Sequence, residues 1–548
     1  MNKIKSLFVV AFFLLSTTFG FAQSAMFRLA KNIDVYFSIL QELDLYYVDT
    51  VDHERIIRAS IDNMLQSLDP YTVFISESEV SDFDFSTTGQ YGGIGALIRM
   101  RGNVVEFVES YKGFPADKVG LRPGDLVLSV DNVHVDNKNV SDVSASLKGK
   151  IGSPLDMTVV KFTTKDTVKL TLSRAQIQLP SVPYYGLLPK SKVGYICFSS
   201  FTKDCSNEVK SAVEQLKKQG AQSLILDLRS NTGGLLDEAV KIVNLFVPRG
   251  QEVVSVKGRV GGEMKYKTDR AALDTEIPLV VLINSLSASS SEIVAGALQD
   301  LDRAVIAGQR SYGKGLVQSV RALPYNEKFK LTTAKYYIPS GRCVQAIDYT
   351  HRNPDGSVGK IPDSLVRKFT TRAWRTVYDG GGIIPDEKFA PQAAPQILMT
   401  LYAQNLFFDF ANNYYAKRPA VAPIAEFGLL DADFQDFVKF AKEADFTYET
   451  VSSKALQDLV KTLKKEKYYD DLKFELNDLS AKLTPNIPQD FERFKKEISE
   501  LLEEEIASRY YYQHGRLEVS TRHDTEVQRA AEILQNSALY KSFLQPEK

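Results

Sequence analysis

The chain has 548 residues, more than one hydrophobic core usually serves, so roughly two to four domains are expected. A hydrophobic share of 44% and a charged share of 25% are ordinary for a globular protein. The formal net charge of −1 provides no basic excess to meet a phosphate backbone, which excludes nucleic acid as a partner class.

Taken from the start, Lys3 and Lys5 precede an apolar run over residues 7–19, and Gly20-Phe21-Ala22 follows with small residues. That order predicts a signal peptide over 1–22, cut after Ala22; an uncleaved anchor helix is the alternative. The mature chain is then expected outside the cytoplasm, periplasmic or secreted. No later stretch reaches the ~18 apolar residues of a membrane span. Residues 26–75 carry apolar positions at helical spacing, among them Ile33, Phe37, Leu40 and Leu43, up to the stop at Pro70. The glycine-rich run Gly89-Gln-Tyr-Gly-Gly-Ile-Gly95 leads into two strands, 96–100 and 104–109, around Arg101-Gly-Asn103. With Gly120-Leu-Arg-Pro-Gly-Asp125 and a strand at 126–130, residues 89–175 read as a β-rich domain with one or two short helices.

From Val193 the pattern changes. Strands at 194–198, 223–228, 279–284 and 304–307 alternate with helices at 205–218, 235–246 and 290–301, the signature of an α/β core with a largely parallel sheet. Beyond about residue 395 the chain is charge-rich and helical, and Phe491, Phe494, Ile498, Leu501 and Leu502 trace one apolar face. The three cysteines, Cys197, Cys205 and Cys343, leave at least one thiol unpaired and form no Cys-x-x-Cys motif; pairing of the other two stays open. The histidines at 53, 134, 351, 514 and 523 lack the spacing of a helical zinc site, so no metal or other cofactor is expected.

Chemistry concentrates at Asn284-Ser-Leu-Ser-Ala-Ser-Ser-Ser-Glu292, where an apolar strand runs through a serine cluster into a helix. Such a junction can expose a hydroxyl at the positive end of a helix, with backbone N–H groups beside it. Ser289 followed by Glu292 also fits a simple capping box. A serine nucleophile needs a base, and no histidine lies between residues 135 and 350. Lys314, between two glycines in Ser311-Tyr-Gly-Lys-Gly-Leu-Val-Gln318, can serve if burial favours its neutral form. Gly308 to Lys314 imitates a nucleotide-binding loop, but Gly315 stands where a Ser or Thr would hold magnesium and a strand follows in place of a helix.

The serine run to Asp300 and Gly313-Lys-Gly-Leu-Val-Gln318 together closely resemble the carboxyl-terminal processing (tail-specific) peptidases. The resemblance implies Ser289 as nucleophile, Lys314 as base and Gln318 as the residue orienting it. Ser290 departs from the usual alanine; its N–H can still donate, but its hydroxyl is a competitor for Lys314. Asp227-Leu-Arg-Ser-Asn-Thr-Gly-Gly234 resembles the turn whose glycine N–H groups form part of the oxyanion hole, which implicates Gly233 or Gly234 together with Ser290. Residues 89–175 resemble a PDZ domain, with Tyr91, Gly92, Gly93, Ile94 and Gly95 as the loop that binds a peptide carboxylate. The resemblance spans roughly 30–390; Leu68-Asp-Pro-Tyr-Thr72 marks the start of the core, and Tyr337-Ile-Pro-Ser-Gly-Arg342 and Gly380-Gly-Gly-Ile-Ile-Pro-Asp386 its end.

The expected fold class is thus α/β: a crotonase-like (ClpP-like) peptidase core over 77–88 and 176–394 with an inserted PDZ domain. A helical segment over 23–76 precedes it and a helical region over 395–548 follows; a rival reading makes that region the main functional part, a docking or oligomerisation module with proteolysis subsidiary. The expected function is an exported serine endopeptidase acting on proteins with unstructured, apolar C-terminal tails. The alternative is a PDZ-based binding protein on an inactive peptidase scaffold.

Overall fold

The computed structural model describes residues 26–546 apart from Asn137 and Gln392. The expected signal peptide, 1–22, lies outside the described residues. The chain divides into two compact units, one running to Phe74 and one from Ile75.

In the first unit the expected helical stretch is two helices, over residues 26–46 and His53–Gln66. The break has a local cause: the Asp52 side chain accepts the Arg55 N–H at 3.0 Å and starts a new helix. At the predicted stop, one Asp69 carboxylate oxygen accepts the N–H groups of Tyr71 and Thr72, both at 2.8 Å, and fixes the turn through Pro70.

The second unit is built on a six-stranded sheet in the order Tyr184–Leu187, Val193–Cys197, Ser223–Asp227, Leu279–Ile283, Val305–Gly308, Glu387–Lys388. Only the first pair is antiparallel. The four strands expected between 194 and 307 are all present with ends shifted by one residue. A parallel sheet covered on both faces requires strands that are apolar throughout; all five residues of Leu279-Val-Val-Leu-Ile283 are buried. One face packs against helices Cys205–Lys218, Leu236–Phe246 and Ser290–Asp300, as the strand-helix alternation predicts. The other face is covered from the far end of the chain. Val527, Ala530 and Ile533 of helix Thr525–Gln535, with Tyr540 of helix Ser537–Phe543, close over Ile225, Val280 and Leu282. Packing of the core therefore crosses the boundary expected near residue 395.

A second, antiparallel sheet holds Leu316–Ala322, Lys328–Tyr337, Glu252–Gly258 and Glu263–Lys267. The β-rich region forms its own antiparallel sheet, along the path Ala96–Arg101, Val104–Ser110, Leu126–Val130, Pro154–Val160, Thr167–Ser173. Its helices are Pro115–Lys118 and Val140–Leu147, and Phe107, Leu121, Val127 and Leu155 fill its core. It leans on the C-terminal helices: Arg101 grips Asp409 with Nη1 and Nη2, the Tyr512 hydroxyl donates to Asp117 at 2.7 Å, and Arg99 sits 4.3 Å above the Phe408 ring.

The C-terminal region is helical, but the single face read through Phe491 and Leu502 is divided between Ile487–Arg493 and Lys495–His523, with a break at Phe494; the longer stretch is itself kinked at Tyr512. Phe491, Ile498 and Leu502 still enter one apolar cluster with Phe434 and Phe437. Among the described residues no helix is long and apolar enough to cross a membrane.

Candidate active site

Loops at the carboxyl ends of adjacent parallel strands form the usual crevice of an open α/β sheet. Here three of them converge. Asp227 opens the turn to Gly234, Ile283 leads to Ser289, and Gly308 leads to Lys314.

Ser289 stands at φ +57°, ψ −116°, immediately before helix Ser290–Asp300. A non-glycine residue held there costs on the order of 1–3 kcal/mol and persists only when its neighbours impose it. Glu292 imposes it. One carboxylate oxygen accepts the N–H groups of Ser289 at 2.9 Å and Lys314 at 2.8 Å. The other accepts the Gly313 N–H at 2.7 Å and the Ser311 hydroxyl at 2.6 Å. The side chain is wholly buried; burial pushes its carboxyl up, against the pull of these four donors. The capping-box reading holds, and the carboxylate that caps the Ser289 N–H does more than cap, because it also gathers the Lys314 loop. The Tyr336 hydroxyl donates to the Ser289 carbonyl at 3.3 Å, and burial keeps this phenol well above its ordinary range.

The serine run has a second task. Ser287 donates to the Leu228 carbonyl at 2.7 Å, Ser291 to Asn231 at 2.8 Å and Ser290 to Gly234 at 2.9 Å. Three hydroxyls thus fasten the Asp227–Gly234 turn to the start of the Ser289 helix. The Ser290 hydroxyl, a competitor for Lys314 on the sequence, is committed to Gly234.

The two glycines differ. A Cβ on Gly233 would lie 2.8 Å from Ser289 Cβ and 2.9 Å from the Ser290 nitrogen, so the turn can press against the serine only without a side chain. The Gly233 N–H donates to Asn231 Oδ1 at 2.9 Å, and its carbonyl accepts the Phe201 N–H at 3.3 Å. Since N–H and C=O point oppositely across a trans peptide, the Gly234 N–H points away from Phe201.

Lys314 is half-buried. Gln318 lies on strand Leu316–Ala322, next to a bulge between Val317 and Gln318, and its amide donates to Thr332 Oγ1 at 3.2 Å. Tyr91, Gly92 and Gly93 form strand Gln90–Gly93, paired with Ala175–Gln178, while Ile94 is buried and Gly95 has φ +74°. A Cβ on Gly95 would lie 2.4 Å from Phe114 Cβ. Tyr91–Gly93 thus sit in a two-stranded sheet of their own, and Ile94 and Gly95 link it to Ala96–Arg101, an edge strand beside helix Val140–Leu147; Ser289 and Lys314 lie on loops of the central sheet.

Among residues that the sequence left without a role, Asn231 holds the turn twice, through its Oδ1 and through an Nδ2 bond to the Phe198 carbonyl at 2.8 Å. The three cysteines are all free thiols. Burial, reinforced by Asp227, pushes Cys197 up to about 12.

Residues 192–355 match the model of peptidase family S41, residues 106–161 a PDZ domain, and residues 397–534 the "Probable PDZ-protease, C-terminal helical domain". The chain is 32% identical over 352 residues to the carboxy-terminal-processing protease of Bartonella bacilliformis, an alignment covering 63% of this chain and 80% of that one. It belongs to peptidase family S41. Against a further relative, the "Probable CtpA-like serine protease" of Staphylococcus aureus strain COL, this S41 peptidase is 32% identical over 316 residues, 57% of its own length and 63% of the relative's. Among solved structures, the photosystem II D1 C-terminal processing protease is 28% identical, with 65% of this chain and 87% of that one covered at a TM-score of 0.36. The S41 match takes in the turn at Asp227, Ser289 and Lys314; family membership and the PDZ match make the chain a serine-type peptidase with a PDZ domain.

Proposed function

We propose that this S41 peptidase is an exported endopeptidase that captures unstructured C-terminal tails through its PDZ domain and hydrolyses peptide bonds with Ser289 and Lys314. The observation that carries the reading is the shared carboxylate of Glu292, which accepts the backbone N–H of both residues. Nothing in a plain helix cap needs the lysine loop on the same oxygen.

In this reading the neutral Lys314 amine takes the Ser289 hydroxyl proton as Oγ bonds to the peptide carbonyl carbon. The carbonyl electron pair moves to oxygen. The resulting anion is met by the N–H groups of Ser290 and Gly234; the choice of Gly234 is supported by the engagement of the Gly233 N–H with Asn231. Collapse breaks the C–N bond, and the departing amine takes the proton from Lys314. The Lys314 amine then deprotonates a water that attacks the acyl carbon; the C–Oγ bond breaks, the acid product leaves, and Lys314 returns the proton to Ser289 Oγ. Gln318 orients Lys314 from the neighbouring strand. The edge strand Ala96–Arg101 and the Tyr91–Gly95 segment receive the substrate tail as an added strand ending in a carboxylate. The charged and apolar runs of residues 1–22 support export to the periplasm or medium, with cleavage after Ala22.

The test is cleavage of an unfolded substrate with an apolar C-terminal tail by wild type, Ser289→Ala and Lys314→Ala. Wild type should cleave and both variants should not, with folding intact. Cleavage retained in either variant overturns the assignment, and tail binding without cleavage by wild type favours the scaffold alternative.

A further inference from the structure

The turn that carries Gly233 and Gly234 is pinned to the serine run on one flank. Its other flank reaches into the C-terminal helices through Arg229. The Nε of Arg229 donates to both oxygens of Asp227 at 3.0 Å, and Nη2 donates to Asp227 Oδ2 at 2.6 Å. The same guanidinium then meets two carboxylates almost 300 positions away in sequence: Nη2 donates to Asp524 Oδ2 at 2.7 Å and Nη1 to Glu526 Oε2 at 2.8 Å. Asp524 is fixed in turn, because its second oxygen accepts the N–H groups of Glu526 at 2.9 Å and Val527 at 3.0 Å as the cap of helix Thr525–Gln535. Asp227 also takes the Tyr195 hydroxyl at 2.8 Å and the Arg229 N–H at 2.9 Å.

A turn has no ladder of backbone bonds, so its position depends on side chains of this kind. The Arg229 side chain is 17% exposed, which keeps water from replacing these bonds. One cation faces three carboxylates, so losing it leaves three partly buried acids against one another. Lysine cannot substitute, because only a planar fork reaches Asp227 on one edge and the two tail carboxylates on the others.

We propose that Arg229 is a positioning residue for the oxyanion turn, and that Asp524 and Glu526 thereby make the C-terminal helical domain a working part of the peptidase site. Its catalytic consequence rests on the Ser289 reading; its structural half does not. The tail then acts on the chemistry through the turn, whatever it docks outside.

The full chain is compared with Arg229→Lys and with the double variant Asp524→Asn, Glu526→Gln; Glu526→Gln alone replaces the double variant if that fails to fold. Amide hydrogen exchange should rise about tenfold in peptides spanning 228–235, with strand Leu279–Ile283 unchanged. Unchanged exchange over 228–235 in these variants overturns the proposal, and does so even if wild type cleaves nothing, the outcome that would instead refute the Ser289 reading. With an active wild type, kcat per Ser289 titrated with a serine-reactive phosphonate should fall about tenfold or more at a KM within about twofold. A merely structural contact would lower the number of titratable sites and leave the turnover of each intact, which also overturns the proposal.

Discussion

Glu292→Gln tests the central feature of the site with one atom changed. The carboxylate takes four donors on two oxygens, and three of them are backbone N–H groups that cannot reverse their role. Glutamine keeps one acceptor oxygen and places an NH2 at the other position. With the oxygen turned to Ser289 and Lys314, the NH2 faces Ser311 and Gly313. The Ser311 hydroxyl can rotate, but the Gly313 N–H is left buried against another donor. An unsatisfied buried N–H costs about 1–3 kcal/mol, and the two surviving bonds weaken once their acceptor is neutral, by about 1 kcal/mol each. The variant should therefore lose roughly 3–5 kcal/mol, read as a lower urea midpoint at an unchanged slope. Release of the Lys314 loop should also lower kcat, by about a hundredfold for a displacement near 1 Å. A variant with the wild-type midpoint and wild-type kcat would refute the claim that this carboxylate joins the two loops.

Two other outcomes follow from burial. A chain stopped after His523 loses the cover over Val193, Ile225, Val280, Leu282 and Val305, each at most 1% exposed. At about 1.5–3 kcal/mol per side chain this is on the order of 10 kcal/mol, comparable with the whole stability of a domain, so the truncated protein should not unfold cooperatively. A monodisperse truncation with the full-length melting curve would refute it. For the thiols, burial raises Cys197 from 9.0 to about 12 and raises Cys205 and Cys343 as well. Native protein at pH 8 should show almost no thiol reacting quickly with an aromatic disulfide reagent, and three after denaturation. The linkage has one sign: the unfolded thiol ionises first, so the contribution of Cys197 to stability is complete below pH 9.0 and is lost as pH rises toward 12. A fast-reacting thiol in native protein would contradict the burial.

The core strands and helices were legible because their signals are local: apolar runs of five residues, amphipathic helices between them, glycines at the turns. Ser289 and Lys314 stood out as a hydroxyl before a helix and a lysine between glycines. What could not be read depends on partners distant in sequence. Val527, Ala530 and Ile533 look like any amphipathic stripe, and only the assembled sheet shows that they cover strands made three hundred positions earlier. Glu292 looked like a cap because its nearest donor is three residues away, whereas its other donors arrive on a loop from residues 311–314. The break at Phe494 was hidden for the opposite reason: both helices bury the same face, so the apolar period runs through the interruption.

The placement of helix Thr525–Gln535 on the central sheet also sets an order of events during synthesis. The last strand of the central sheet is complete by Lys388, yet the second face of the sheet stays bare until the chain has grown to about Tyr540. At roughly 5–20 residues per second that interval is on the order of eight to thirty seconds. Through it, the turn at Asp227 lacks Asp524 and Glu526, and the nascent chain carries every residue of the site without the layer that settles it. The helices that complete the cover of the catalytic sheet are therefore among the last parts of the chain to be made.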